Sequence, residues 1–86
     1  QRLKDIDTLT LSNASRRVIN FLFQERDPVS GDVVLQVSKR LVASKLGIQP
    51  ETFSRILHRL VEGGLIEMHR RNIRILAEEE LAVYQQ

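Results

Sequence analysis

The sequence predicts a mainly α-helical domain with a small antiparallel β-sheet, and three observations point there. Two segments with apolar residues at helical spacing, 39–46 and 50–63, are separated only by Gly47, Ile48 and Gln49. Two short apolar runs, 65–68 and 73–76, follow around a basic, polar tip. A further helical segment precedes them all. Two helices joined by so short a glycine-containing turn must cross steeply, and a β-hairpin behind them makes the arrangement a winged helix-turn-helix. At 86 residues the chain has room for one domain with a modest core.

Each element has a local reason. Leu3, Ile6 and Leu9 suit the end of a helix, which would be marginal alone. Thr8, Thr10, Ser12 and Asn13 then predict an interruption, with Ser12 or Asn13 capping a new helix. The expected division is thus 1–11, the end of a preceding helix plus a connector, and 12–86, the folded domain. The new helix buries Ala14, Val18, Ile19 and Leu22, with Phe21 and Phe23 widening that face, and stops before Pro28. Residues 27–32 read as a turn, and 33–37, rich in β-branched residues, as a strand.

The next stretch is the most informative. Ser38 is suited to accept hydrogen bonds from the free N–H groups at the start of 39–46. Val42 and Leu46 share a face, and Ala43 permits close approach of a neighbour. Gly47 is suited to the left-handed conformation that ends a helix. Pro50 falls at a first helical position, where its missing N–H is harmless and its fixed φ assists. Glu51 follows in the first turn, favourably placed toward the helix dipole. Phe53, Ile56, Leu57, Leu60 and Val61 form an apolar stripe, and Gly63-Gly64 ends the helix. After the hairpin, with its tip at His69-Arg70-Arg71-Asn72, a short helix over 78–84 packs Leu81, Ala82 and Tyr84.

Composition narrows the function. A hydrophobic share of 42% with 28% charged residues is ordinary for a globular chain. Cysteine is absent, which excludes disulfides and thiolate ligands and fits a reducing compartment such as the cytoplasm. No apolar run approaches the roughly 20 residues of a membrane span. The first residues resemble no signal peptide, and the lack of an initiator Met suggests a piece of a longer protein. The net charge is only +2, but it is unevenly spread. Residues 1–38 are neutral, whereas 39–74 carry Lys39, Arg40, Lys45, Arg55, Arg59, Arg70, Arg71 and Arg74 against Glu51, Glu62 and Glu67. Such a concentration is expected where one face meets a polyanion.

Positions 51, 54, 55 and 58 recur at i, i+3, i+4 and i+7, so they line one face of the second helix, opposite its apolar stripe. A helix presenting such a face fits a DNA major groove about 12 Å wide. Arg55 suits guanine O6 and N7 bidentately, Glu51 a cytosine amino group, and Ser54 either base type or a thymine methyl. A carboxylate at the front of a DNA-facing helix would repel phosphate, so Glu51 points to base reading or to orientation of Arg55. Lys39, Arg40 and Lys45 on the first helix, Thr52, His58 and Arg59 on the second, and Arg70 and Arg71 at the hairpin tip are expected backbone contacts. The rival reading is a winged-helix module for protein–protein contact, without base readout.

Over Leu46-Gly47-Ile48-Gln49-Pro50-Glu51-Thr52-Phe53-Ser54-Arg55-Ile56-Leu57 the chain resembles the C-terminal DNA-binding domain of the Crp/Fnr family of bacterial transcription regulators. The preceding Ala14-Ser15-Arg16-Arg17-Val18 and the later segment from Leu65-Ile66 to Ile75 share the likeness, so it covers nearly the whole chain. The branch it is most similar to comprises nitric-oxide-responsive denitrification regulators. The resemblance implies a TTGAT-like half-site, with Arg55 taking guanine, Glu51 the cytosine of the opposite strand and Ser54 the neighbouring thymine. It also implies a full-length homodimer that meets RNA polymerase, with a sensor domain, in some members haem-bearing, and a long dimerisation helix of which 1–7 would be the end. The fragment itself would hold no cofactor and could be monomeric. Pro50 departs from relatives that carry a polar or basic residue there, leaving base contacts to Glu51, Ser54 and Arg55.

Other chemistry has little support. His58 and His69 are the only histidines, without cysteine or clustered carboxylates, whereas a zinc site needs three or four ligands. The glycines match no phosphate-binding loop. His69, Ser54 and Glu51 form no credible catalytic set, because the histidine follows a strand away from the helix that carries the other two. Glu78, Glu79 and Glu80 read as a solvated first turn favoured by the helix dipole. No enzyme is expected.

Overall fold

The computed structural model describes residues 2–84, with side chains described from Asn13 onward. The elements run α1 (Arg2–Glu25), β1 (Asp32–Val34), α2 (Lys39–Leu46), α3 (Pro50–Glu62), β2 (Ile66–His69), β3 (Asn72–Ile75) and α4 (Glu78–Ala82). This is the mainly helical, winged architecture expected from the pattern of elements.

The first helix corrects the sequence reading. No break occurs at Ser12 or Asn13: α1 is a single helix of 24 residues that runs unbroken through 2–25. The capping preferences of Thr8, Ser12 and Asn13 are worth only about 1 kcal/mol each, and an unbroken ladder of backbone hydrogen bonds overrides them. Downstream, α1 buries Ala14, Ser15, Val18, Ile19 and Leu22, with Phe21 and Phe23 half-buried at the margins. Leu3, Ile6 and Leu9 lie outside the residues with described side chains.

The connection from α1 to β1 is a tight turn organised by Asp27. Its carboxylate accepts from Val29 N at 2.7 Å and Ser30 N at 3.2 Å, and its carbonyl accepts from Gly31 N at 2.7 Å. β1 is shorter than the expected 33–37. Only Asp32 to Val34 pair in register with β3, Val33 opposite Ile73, and Leu35 N adds one further bond to Arg71 O at 2.9 Å. Residues 36–37 then turn toward the cap of α2.

The sheet order is β1-β3-β2, all antiparallel. β2 and β3 pair from Ile66 opposite Ile75 to His69 opposite Asn72, so the hairpin tip is only Arg70 and Arg71. His69 and Asn72, expected in the tip, are strand residues. The alternation along each strand puts Val33, Ile66 and Ile73 in the core. On the solvent face Asp32, Arg74 and Glu67 stand in one row, and Arg74 Nε lies 3.3 Å from Asp32 Oδ1.

One continuous core joins α1, the sheet and the helix pair, with Phe53, Ile19, Leu22, Ile56, Leu57, Leu60 and Leu81 among its largest fully buried side chains. The closing helix corrects two details. It ends at Ala82 rather than Tyr84, and only Leu81 is buried; Ala82 is exposed and Tyr84 half-buried. This end is held to α1 by Arg16, which donates to Ala82 O at 3.1 Å and Tyr84 O at 2.8 Å. Arg26 reinforces the closure with an ion pair to Glu78 at 3.0 Å, its guanidinium stacked 5.4 Å from the Phe23 ring.

Candidate nucleic-acid interface

The helix pair forms as its local chemistry dictates. Ser38 adopts an extended conformation and its hydroxyl accepts from Leu41 N at 3.2 Å, capping α2. Gly47 is left-handed at φ 73, with Gly47 N bonded to Ser44 O and Ile48 N to Ala43 O. These paired bonds satisfy carbonyls at the helix end and reverse the chain within one residue. Gln49 precedes Pro50 in extended conformation, and α3 begins there.

Burial of Phe53, Ile56, Leu57 and Leu60 against α1, α2 and β2 turns the opposite side of α3 outward. Glu51, Ser54, Arg55 and His58 are all exposed, and together with Pro50 they line one shallow open depression. Val61, expected in the apolar stripe, lies at its solvent border. Glu51, Ser54 and Arg55 make no hydrogen bond or ion pair with other described residues. They form a carboxylate, hydroxyl and guanidinium set committed to nothing inside the fold.

The other expected contacts divide. Lys39 comes together with Ser54 and His58 along a groove floored by Leu57, Val61 and Met68, so α2, α3 and β2 converge beside the reading face. Arg40 lies on the other flank of the turn with Ser44, Gly47, Ile48, Gln49 and Pro50. Lys45, in the last turn of α2, and Arg59, in the last turn of α3, are exposed. Thr52 is only half-exposed and lines a separate depression with Asn13, Ala14 and Arg17 of α1. His58 is engaged, its Nε2 lying 3.1 Å from Glu62 Oε2 one turn later.

Sequence reasoning missed Arg17. Its guanidinium donates to Leu46 O at 3.3 Å, tying α1 to the end of α2 beside the turn. The helical wheel of α1 sets Arg17 on the edge of the Ala14–Val18 stripe, but nothing local tells which element that edge borders. Arg74 has the opposite history: it belongs to the basic segment by sequence, yet lies on the outer sheet face beside Asp32.

The wing tip has an unusual backbone. Arg70 has φ 61, the only positive value at a non-glycine among the described residues. A side chain in this region costs of order 1–3 kcal/mol. Arg70 and Arg71 are both exposed, and neither guanidinium has a partner among the described residues.

Residues 16–84 match the Crp-like helix-turn-helix domain. The chain belongs to this family. Among solved structures, the Crp-like domain is similar to DNR from Pseudomonas aeruginosa, at 44% identity and a TM-score of 0.83, covering 99% of this chain and 39% of that one. It is also similar to FixK2 from Bradyrhizobium japonicum, at 29% identity and a TM-score of 0.76, covering 93% of this chain and 43% of that one. The Thermus thermophilus catabolite activator protein matches at 27% identity and a TM-score of 0.66, covering 94% and 41%. This Crp-like domain therefore spans 39–43% of the length of these relatives. Comparison with curated proteins finds no match. The family and its solved members support double-stranded DNA binding for transcription regulation. Among the described residues no helix is long and apolar enough to cross a membrane.

Proposed function

We propose that this domain reads DNA sequence for a transcription regulator by inserting α3 into the major groove of a TTGAT-like half-site. Arg55 donates bidentately to guanine, Glu51 accepts from the cytosine amino group of the opposite strand, and Ser54 meets the neighbouring thymine. Lys39, Arg40, Lys45, Arg59, Arg70 and Arg71 hold phosphates on either side, which fixes register without reading sequence. Thr52 and His58 complete the backbone set; His58 contributes while paired with Glu62, and Thr52 from the α1 side of the helix. The observation that carries this reading is the exposed, unpartnered Glu51, Ser54 and Arg55 on one face of a helix whose other face is fully buried.

The longer protein is proposed to act as a homodimer engaging two half-sites about one helical turn apart, with RNA polymerase as its partner. α1 would continue the dimerisation helix, and the effector, in the denitrification branch a haem ligand such as nitric oxide, would be sensed in another domain. Among the described residues no three His, Cys, Asp or Glu lie together as ligands of a metal ion.

The test is titration of TTGAT-bearing and scrambled duplexes with the domain fused to a dimerising helix. Arg55→Ala should reduce preference for the specific duplex by about 1–3 kcal/mol and leave scrambled binding weakened far less. Equal loss on both duplexes removes the base-reading role. Absence of salt-dependent binding to either would favour a protein-contact module instead.

A further inference from the structure

Both histidines of the chain are exposed, but only one belongs to the face of α3 that carries the DNA-binding reading. His69 stands on the outer side of the sheet, opposite Asn72. His58 is the last position of the face formed with Glu51, Ser54 and Arg55, and it lines their shared depression. It also borders the neighbouring groove, with Lys39 of α2, Ser54 and the apolar Leu57, Val61 and Met68. Its Nε2 lies 3.1 Å from Glu62 Oε2, and the two side chains are 71% and 66% exposed. An exposed pair of this kind contributes little to stability, so its effect falls on whatever approaches the face.

A neutral imidazole has one N–H donor and one bare acceptor nitrogen. With Nε2 donating to Glu62, a neutral His58 offers only the acceptor Nδ1 to other partners, and the pair carries the full carboxylate charge. Both features repel a phosphate oxygen. One added proton reverses them: Nδ1 gains a hydrogen to donate, and the pair becomes neutral overall. We infer that DNA binding by this domain is proton-linked at the His58–Glu62 pair, the phosphate contact of His58 forming only on the protonated imidazole. This rests on the DNA-binding reading and deepens it, because a His58 that stays on Glu62 has no other hydrogen for a phosphate. The remaining charged groups around the ring are Glu51 and Arg55 on its own helix and Lys39 on α2, while β2 presents only the uncharged Met68. Glu51 favours the proton, Lys39 and Arg55 oppose it, and an approaching phosphate adds a charge in its favour. Histidine changes charge between about pH 5 and 8. Affinity therefore rises as pH falls through that range and is lost as pH rises through it.

The experiment titrates a TTGAT-bearing duplex with the dimerised domain at fixed salt between about pH 6 and pH 8, for wild type and for His58→Gln, His58→Lys, Glu62→Gln, His69→Gln and Arg55→Ala. Across that range wild-type affinity should rise on acidification by about eightfold per half-site, the worth of one phosphate contact at 0.1 M salt. His58→Gln should remove the rise, and His58→Lys, charged throughout, should bind tightly at every pH. Glu62→Gln should tighten binding more at the alkaline end than at the acid end, because the neutral ring is then free to turn its N–H to the phosphate. His69→Gln should keep the rise in full. Arg55→Ala should keep it while losing the preference for TTGAT, which separates proton uptake from base reading. Thermal midpoints at each pH verify that the variants are folded. A flat wild-type profile, or a rise that persists in His58→Gln, overturns the assignment. Wild type without salt-dependent duplex binding at any pH would instead overturn the underlying DNA reading.

Discussion

The two helices of the motif are stabilised in different ways, although both end on the same device. Gly47 closes α2 and Gly64 closes α3, each in left-handed conformation with the same pair of backbone bonds; for α3 these are Gly64 N to Val61 O and Leu65 N to Leu60 O, both 3.0 Å. The beginnings differ. α2 starts on the Ser38 hydroxyl cap and buries only Val42 and Ala43. α3 starts on Gln49, which makes no side-chain cap bond, but it carries Pro50 in its first turn and buries Phe53, Ile56, Leu57 and Leu60. A short helix with little buried surface depends on its end groups. A longer one is held by packing, which leaves its front turn free of structural duty.

This contrast can be broken or sharpened by substitution, from the largest effect to the smallest. Phe53→Ala should destabilise the domain by about 3–5 kcal/mol, comparable with the whole stability of a small domain, and denaturant unfolding should show the transition shifted or lost. Gly47→Ala should cost about 1–2 kcal/mol through the left-handed backbone. Its methyl would sit 3.5 Å from Arg17 Nη1, an ordinary contact, so steric crowding adds little. Ser38→Ala should cost about 1 kcal/mol. Gln49→Ser should do the reverse and stabilise by up to about 1 kcal/mol, read as a small rise in thermal midpoint. If Ser38→Ala were silent while Gln49→Ser stabilised strongly, the division between a capped and a packed helix would be wrong.

What the sequence made legible follows the range of the interactions involved. Ser38, Gly47 and Pro50 act within a few residues of themselves, and each did what its chemistry favours. The apolar period of α3 is equally local, which is why the outward position of Glu51, Ser54 and Arg55 could be read without coordinates. The failures are cases where a distant partner decides. Thr8, Ser12 and Asn13 look like a helix start, but the helix continues through them. β1 is cut to three residues because register with β3 sets its length. Arg17 reaches the Leu46 carbonyl across 29 positions and lines one depression with Thr52. Periodicity tells which side of a helix is wet or dry; it does not name the neighbour along the border.

The place of β3 in the middle of the sheet has a mechanical consequence. A hairpin standing alone would be marginal and free to bend, whereas here its second strand is bonded on both edges and its turn is tied to Leu35. The wing therefore behaves as a fixed ruler with respect to α3. Under the proposed reading, a duplex whose groove width or curvature does not suit that spacing has to be deformed itself, so flexible steps outside the contacted bases would be favoured over stiff ones.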